Sequence, residues 1–412
     1  MKVLLVNKFF YIKGGSETYY FSLKKLLQDN GHEVIDFSMK DDKNYESEYS
    51  EYFIDSIDYN GSQSVGSKGK IAGKIIYSFE AKRKIEQLIK ATKPDIVHLQ
   101  IFQHQMSPSI LDVFKKYDIP VVYTAHDMKM VCPNYKMLNG SGICEDCKEG
   151  KYINCLKNSC VKESKAKSLI NTIECYFHKY KNSYGIIDKV ITPSKFYRDK
   201  FVEFGVENER VKYIPNFLKE DKYVPQYECK DYFLYFGRLS EEKGIKTLLD
   251  AMKLNDYQLK IVGTGPLQEE LAEYINSSGL NERVVMEGYK SGAELEALVK
   301  DSMAVIVPSE WYENAPYSVI ESMAQGKAII GADIGGIPEL IEENINGHIF
   351  KSKDSNELNE KMKKLVDNKE KLAFFGQMSR KKFQEEFTEE KHLKEILKVY
   401  DEAIKNHKNT YK

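Results

Sequence analysis

The chain has 412 residues, enough for two domains of ordinary size. Charged residues make up 30% and the formal net charge is −1, a balance that does not favour nucleic acid as a partner. The apolar start, residues 1–6, is too short for a signal peptide, and no stretch approaches the roughly 20 apolar residues of a transmembrane helix. We therefore expect a cytoplasmic globular protein whose seven cysteines are mostly reduced, with any membrane contact peripheral.

The amino-terminal elements alternate between strand and helix. An apolar strand is predicted at 2–6, a helix at about 18–30 and a second strand at 32–37. Gly14 and Gly15 precede the helix, so the unit resembles a Rossmann-type strand, turn and helix. Glycines there allow backbone to approach a ligand, although ordinary tight turns use the same pair.

Residues 40–70 are polar and have no clear periodicity, so no element is predicted there. A helix is expected at about 74–91, followed by strands at 94–99 and 119–124. The last strand leads into His126 and Asp127. Open α/β sheets bind ligands at the carboxyl ends of strands, although a lone histidine is more often structural.

A cysteine-rich segment at 130–165 follows. Cys144 and Cys147 have the spacing of a zinc knuckle, and two further thiols could complete a tetrahedral set, which would then be Cys144, Cys147, Cys155 and Cys160. The second pair lacks the knuckle spacing, and Cys132 is an extra candidate. A structural zinc, free thiols and a disulfide therefore all stay open. A catalytic metal is not expected, because no open set of histidine and carboxylate ligands accompanies the cysteines.

Residues 151–213 are basic, with 11 lysines and 2 arginines against 7 acidic residues. Aromatic residues are interleaved, and 162–184 has an amphipathic pattern. One interpretation is a face that rests on an anionic membrane or receives a lipid-linked acceptor. The other is a solvated lysine face over an ordinary core.

The strand–helix pattern restarts after a polar, proline-containing linker at 217–230. A strand at 232–236 leads into a turn with Arg238 and Lys243, and a helix follows from residue 245. Both cations could reach one pair of phosphates, Arg through forked hydrogen bonds and Lys as a point charge. Surface charges without a ligand are the alternative.

An apolar strand at 304–307 precedes a predicted helix at about 317–324, with Pro316 suited to its first position. The first N–H groups of such a helix form an anion site. Glu313 and Glu321 lie on either side of the helix start, and a carboxylate can accept hydrogen bonds from two vicinal hydroxyls. The pattern suits a sugar-phosphate ligand, although acids near helix starts are also common on ordinary surfaces.

The stretch 313–321, together with 324–328 and 335–339, resembles the nucleotide-sugar site of the retaining GT-B glycosyltransferases of family four. The resemblance covers nearly the whole chain and is weakest at 40–70 and 130–165. It implies an α/β fold with two Rossmann-like domains facing across a cleft. The implied parts are an acceptor-binding domain at 1–216, a linker at 217–230, a nucleotide-sugar domain at 231–388, and a helix at 389–412 that returns to the first domain.

The resemblance also implies roles for individual residues. The catalytic group would comprise His126, Glu313, Arg238 and Lys243, with Asp127 orienting His126 and Asn216 at the cleft. Donor-binding positions would be Gly14, Gly15, Gly237, Gly263, Asn314, Ala315, Pro316 and Glu321.

The implied activity is that of a retaining hexosyltransferase acting from a nucleoside-diphosphate sugar onto a hydroxyl of a glycan or lipid-linked glycan. Two cations would neutralise the leaving diphosphate, so no metal cofactor is expected. Such an enzyme would serve cell-surface polysaccharide assembly on the inner face of the cell membrane. The alternatives are another GT-B enzyme, such as a nucleotide-sugar epimerase, and a non-catalytic nucleotide-sugar-binding subunit.

Overall fold

A computed structural model describes the backbone of residues 1–56 and 65–410, and side chains at 1–56 and 69–407. The chain divides into two compact units. One comprises Met1–Ile214 with Leu393–Lys412, and the other comprises Pro215–His392. No helix of the described ranges is both long enough and apolar enough to cross a bilayer.

Each unit is built around a six-stranded sheet in which all neighbouring strands are parallel. The strands are β1 Lys2–Val6, β2 Glu33–Phe37, β3 Ile96–Leu99, β4 Val121–Thr124, β5 Leu138–Asn139, β6 Gly142–Ile143, β7 Lys189–Thr192, β8 Val211–Tyr213, β9 Phe233–Phe236, β10 Leu259–Val262, β11 Val284–Gly288, β12 Ala304–Val307, β13 Ala328–Ala332 and β14 Gly347–Phe350. The pair β5 and β6 forms a separate two-stranded hairpin.

Helices follow most of the strands, as parallel sheets require. They are α1 Gly15–Asp29, α2 Val65–Ile76, α3 Phe79–Thr92, α4 Leu111–Lys116, α5 Ile153–Lys157, α6 Lys165–Tyr180, α7 Lys195–Glu203, α8 Ile245–Met252, α9 Gln268–Ser277, α10 Gly292–Asp301, α11 Tyr317–Ala324, α12 Ser355–Val366, α13 Lys369–Glu386 and α14 Glu389–Thr410. The central strands are apolar and buried on both faces, which explains why they are conspicuous in the sequence.

The order of the strands indicates at which point of a sheet a ligand is expected to bind. The first sheet runs β2-β1-β3-β4-β7-β8 and the second β11-β10-β9-β12-β13-β14. The second order is that of a Rossmann sheet, and its direction of growth reverses between β9 and β12. Loops that leave the carboxyl ends of these two strands therefore border the crevice where such sheets bind ligands.

The carboxyl-terminal helix belongs largely to the first unit, since Leu393 onward groups with Met1–Ile214. Tyr400 of α14 is fully buried, and its hydroxyl lies 2.7 Å from His98 Nδ1 on β3. His98 Nε2 in turn lies 2.7 Å from Thr124 Oγ1 on β4. The helix is thus hydrogen-bonded to the centre of the first sheet.

The α/β class and the strands predicted from apolar runs are confirmed. The single helix predicted at about 74–91 is wrong, because α2 ends at Ile76 and α3 begins at Phe79. Ser78 lies between them and its side chain accepts a hydrogen bond from Ala81 N, so it caps α3 and separates the two helices. The segment 40–70 lies partly outside the described residues, and α2 begins within it at Val65.

Candidate active site

The loops after β9 and β10 meet backbone to backbone. Gly237 and Gly263 have φ of +155° and +136°, and a Cβ on Gly263 would lie 1.9 Å from the Gly237 carbonyl oxygen. Gly237 N also donates to Val262 O at 3.0 Å. A side chain at position 263 would force the two loops apart, and the positive φ at both positions favours glycine. The backbone geometry of this unit therefore explains why residues 237 and 263 are glycines.

The turn that carries Lys243 is fastened to the end of β12. Gly244 has a φ of +67°, and a Cβ there would lie 1.9 Å from Pro308 O. Glu310 N donates to Glu242 O at 2.9 Å, and the Thr247 hydroxyl donates to Glu310 Oε1 at 2.6 Å. These contacts hold the two strand-end loops of the crevice together.

Lys243 and Glu313 meet across these loops, although 70 residues separate them. Lys243 Nζ lies 2.6 Å from Glu313 Oε1, and the Ser309 hydroxyl donates to the same oxygen at 2.7 Å. Only 5% of Glu313 is exposed. The carboxylate is therefore held in one place by a cation and a hydroxyl, as a group that positions a ligand requires.

The loop of Glu313 also contacts the backbone of Gly335 and Gly336. Gly336 N donates to Glu313 O at 2.8 Å, and a Cβ on Gly335 would lie 2.5 Å from Glu313 N. Ser309 was not predicted as part of this site, although its place two residues after a buried strand was an available signal.

Arg238 differs from Lys243 in its surroundings. Its side chain is exposed and has no ion pair with the side chains described at 1–56 and 69–407. The two cations are therefore not equivalent. Lys243 is already neutralised by Glu313, whereas the charge of Arg238 is available to an incoming anion.

The start of α11 has no side-chain cap. Pro316 is the N-cap residue with a φ of −65°, one position before its predicted place inside the helix. Ala315 is buried, and its carbonyl accepts a hydrogen bond from Asn216 Nδ2 at 2.9 Å. Asn216 thus fixes the segment that contains Asn314, Ala315 and Pro316, ahead of a helix terminus that favours anions.

Glu321 lies in α11, five residues beyond Pro316. Desolvation raises the pKa of its carboxyl from its ordinary value of 4.5 to about 7, with Lys222 opposing and Glu296 adding to the shift. A carboxylate that is costly to ionise gains from hydroxyl donors, which lower the pKa again.

In the first unit, His126 lies just beyond β4 and is held by a neighbouring strand end. Its Nε2 lies 2.6 Å from the Gln100 side-chain oxygen, and its ring packs edge-on against Tyr19 at 5.0 Å. Because an amide oxygen only accepts, Nε2 carries the proton and Nδ1 is the acceptor. Desolvation lowers the pKa of His126 to about 3, so the ring is neutral.

The side chain that accepts the hydrogen bond of His126 is that of Gln100 and not that of Asp127. Asp127 Oδ1 accepts from Lys129 N at 2.9 Å, and desolvation raises the pKa of Asp127 to about 6. No hydrogen bond between Asp127 and His126 is found among the described residues, and the role expected for Asp127 stays a prediction. Gln100 was missed, although a buried polar residue directly after β3 was a signal of the same kind as His126 itself.

Gly14 and Gly15 mark the start of α1, with Gly14 as the N-cap residue. Gly14 has extended backbone, and an added Cβ would meet only Glu17 Oε2 at an ordinary 3.8 Å. Its conformation does not demand glycine in this structure. Nearby, desolvation and the charge of Lys13 lower the pKa of Lys8 to about 8, which adds a perturbed lysine that sequence reasoning did not single out.

The predicted zinc site is not supported. The thiols of Cys144, Cys147, Cys155 and Cys160 line one small pocket together with Cys132. Yet among the described residues no group of three or more His, Cys, Asp or Glu side chains is placed to hold a metal ion. Burial raises the pKa of Cys132 to about 11 and of Cys147 to about 12.

Sequence comparison places both halves of the chain in known families. Residues 13–222 match the family model described as Glycosyltransferase Family 4, which is about half of the chain. Residues 217–382 match the model of Glycosyl transferases group 1. The second match contains Arg238, Lys243, Glu313 and Glu321.

Individual relatives agree with these matches. An uncharacterized glycosyltransferase of Methanocaldococcus jannaschii is 25% identical over 402 residues, 98% of each chain. The O-antigen chain mannosyltransferase C of Escherichia coli is 26% identical over 219 residues, 52% of this chain and 57% of that one. Among solved structures, a protein of Anabaena in complex with UDP-glucose has a TM-score of 0.64 at 17% identity, covering 97% of this chain and 99% of that chain.

That structural likeness supports the GT-B fold, and the family match extends over half of the chain. The protein is therefore a member of Glycosyltransferase Family 4 that carries a group 1 glycosyl transferase domain in its second half.

Proposed function

We propose that this glycosyltransferase moves a hexose from a nucleoside-diphosphate sugar to a hydroxyl of a glycan or lipid-linked glycan, with retention of anomeric configuration and without a metal cofactor. The observation that carries the proposal is the Lys243–Glu313–Ser309 group beside the exposed Arg238 at the reversal point of the second sheet. This edge is where such sheets bind nucleotides.

The donor would be held by charge and by hydroxyl recognition. The guanidinium of Arg238 would bind the diphosphate, and the helix-start amides at Ala315 and beyond would contact it as well. Glu321 would accept hydrogen bonds from the ribose hydroxyls. The structure of the Anabaena protein with UDP-glucose supports a donor of this class.

Departure of the diphosphate creates negative charge that must be stabilised. Arg238 and Lys243 would supply two positive charges there and neutralise the diphosphate, as a divalent cation does in other transferases. Lys243 would then bind a phosphate oxygen, and its ion pair with Glu313 would weaken. Glu313, freed in part, would accept hydrogen bonds from the sugar hydroxyls.

Retention would follow from attack on the same face as departure. Glu313 is held by Lys243 and Ser309, which suits a positioning group better than a nucleophile. The leaving diphosphate would take the acceptor proton, so no covalent sugar–enzyme intermediate forms. Neutral His126 would accept a hydrogen bond from a sugar hydroxyl through Nδ1, while Gln100 fixes its tautomer.

The acceptor class is proposed from the relatives. One is named for O-antigen chain synthesis, and another is a Klebsiella pneumoniae protein from the cps region. These names support a surface polysaccharide or its lipid-linked precursor as the acceptor.

The test is a binding panel of nucleotides and nucleotide sugars, followed by transfer assays with the donor that binds. A saturating donor should raise the thermal midpoint by several degrees in the wild type, since binding stabilises by RT ln(1 + [L]/Kd). Arg238→Ala should abolish the shift. Lys246→Ala is the matched control, because Lys246 is an exposed lysine of α8 that pairs with Glu270.

Transfer itself is read by product analysis. Nucleoside diphosphate released only with acceptor, an α-linked product from an α-linked donor, and full activity in excess chelator are expected. An inverted product would overturn retention, loss of activity in chelator would overturn metal independence, and no shift with any donor would overturn the donor site.

A further inference from the structure

Helix α6, Lys165–Tyr180, is turned with its polar side inward. Its buried residues are Ser168, Asn171, Thr172, Glu174 and His178. Its large apolar residues face solvent and are 39–95% exposed, namely Leu169, Ile173, Tyr176, Phe177 and Tyr180. The exposed positions recur at the spacing of one helical stripe. A helix on a globular core ordinarily buries its apolar side, so this orientation is the reverse of the usual one.

The inward orientation is fixed by polar contacts. Lys129 Nζ bonds to Glu174 Oε2 at 2.8 Å and to Asn171 Oδ1 at 2.9 Å, with both charged side chains almost fully buried. His178 bonds to Ser183 Oγ and to Ile76 O, each at 2.8 Å. Rotating the helix to bury its apolar stripe would break these buried contacts, which is strongly unfavourable.

Neighbouring elements extend the apolar surface. Phe79 is 77% exposed, and its ring contacts Tyr77, which in turn contacts Phe177. On the other side Ile153 is exposed, and its N–H donates to the Tyr176 hydroxyl at 3.1 Å. The result is a contiguous exposed patch rich in aromatic residues, which we call the α6 face (Phe79, Ile153, Leu169, Ile173, Tyr176, Phe177 and Tyr180). Patches of this kind mark interaction sites.

The charges around the α6 face are positive. Lys157, Lys162, Lys165 and Lys167 are exposed and form no ion pair within the described part of the chain. Several nearby acids are paired, Glu174 with Lys129, Asp112 with Lys181 and Glu149 with Lys151. Glu163 and Asp146 are exposed acids without an ion pair among the described residues, so the four unpaired lysines outnumber them two to one.

We propose that the α6 face is a docking surface for an anionic lipid bilayer, with its apolar stripe in the boundary between headgroups and acyl chains. Aromatic and aliphatic side chains flanked by unpaired lysines are the composition that such interfaces favour. A symmetric contact between two copies would bring identical lysine-fringed faces together, so charge complementarity favours lipid over self-association. The proposal does not depend on the donor site.

The test is co-sedimentation of the full chain with vesicles of phosphatidylcholine, alone or with roughly one-third phosphatidylglycerol. We expect the wild type to bind the anionic vesicles and to weaken in high salt. Ile173→Ser with Tyr180→Ser should reduce binding at least about tenfold. Lys165→Glu with Lys167→Glu should remove the preference for anionic vesicles.

Leu254→Ser is the matched control, since Leu254 is similarly exposed in the second unit and should leave binding unchanged. Because the substituted residues are exposed, all variants should keep the wild-type unfolding midpoint. Equal binding of wild type and the Ile173/Tyr180 variant would overturn the proposal. A wild-type dimer in light scattering that this variant converts to monomer, without vesicle binding, would overturn it in favour of self-association.

Discussion

At the residue scale, the carboxyl of Glu321 is the group of the proposed donor site whose ionisation the fold opposes most clearly. Its pKa is raised from 4.5 to about 7 by burial. The folded state therefore binds the proton more tightly than the unfolded chain. The carboxyl costs no stability below pH 4.5, and its cost grows as pH rises to 7 and then stays constant.

Replacing Glu321 by Gln should therefore stabilise the ligand-free protein at pH 8 and not at pH 4.5. The difference at pH 8 is at most about 3 kcal/mol, from about 1.4 kcal/mol per pKa unit. Thermal midpoints of both proteins at the two pH values measure it. The same variant should lose affinity for nucleoside diphosphates, and a variant destabilised at pH 8 would contradict the assignment.

A second residue-scale prediction concerns His126. Because its pKa is about 3, the ring does not change charge between pH 5 and 8. We expect His126→Asn to lower kcat while leaving the shape of the kcat profile unchanged over this range. A limb near pH 6–7 that disappears in the variant would show that the histidine titrates during turnover.

At the scale of elements, the Lys129–Glu174 pair holds α6 in its reversed orientation. Lys129→Met leaves a buried carboxylate without its cation, which should destabilise the first unit by about 3–5 kcal/mol. Adding Glu174→Met should recover much of that loss, since no isolated charge stays buried. Urea unfolding of wild type, single and double variants tests this, and a double variant no more stable than the single would contradict it.

Individual helices and strands also show which structural features sequence patterns predict and which they do not. The apolar, β-branched runs located the sheet strands because buried parallel strands must be apolar on both faces. The amphipathic pattern noted at 162–184 falls largely on α6, Lys165–Tyr180. Periodicity separates two faces of a helix but does not state which one is inward, and only the partners of Glu174 and His178 decide it.

At the scale of the whole molecule, α14 ties the end of the chain to the first sheet. Tyr400→Phe removes the buried 2.7 Å bond to His98 and should cost about 1–2 kcal/mol. The exposed Tyr45→Phe is the control and should be neutral. Unfolding followed in both variants checks the prediction. A neutral Tyr400→Phe would mean that this hydrogen bond does not contribute to holding the helix, and that packing and the contacts of His407 with Asp118 and Asp188 hold it instead.

The sequence by itself determined the α/β class and the buried strands, and it pointed to most residues of the proposed donor site, because apolar periodicity, glycine turns and helix-start chemistry are local. Tertiary structure alone decided which of these residues meet. Lys243 and Glu313 form a pair only because β9 and β12 are neighbours in the sheet. The same dependence on long-range contact placed Gln100 and not Asp127 against His126, and turned the apolar side of α6 to the surface.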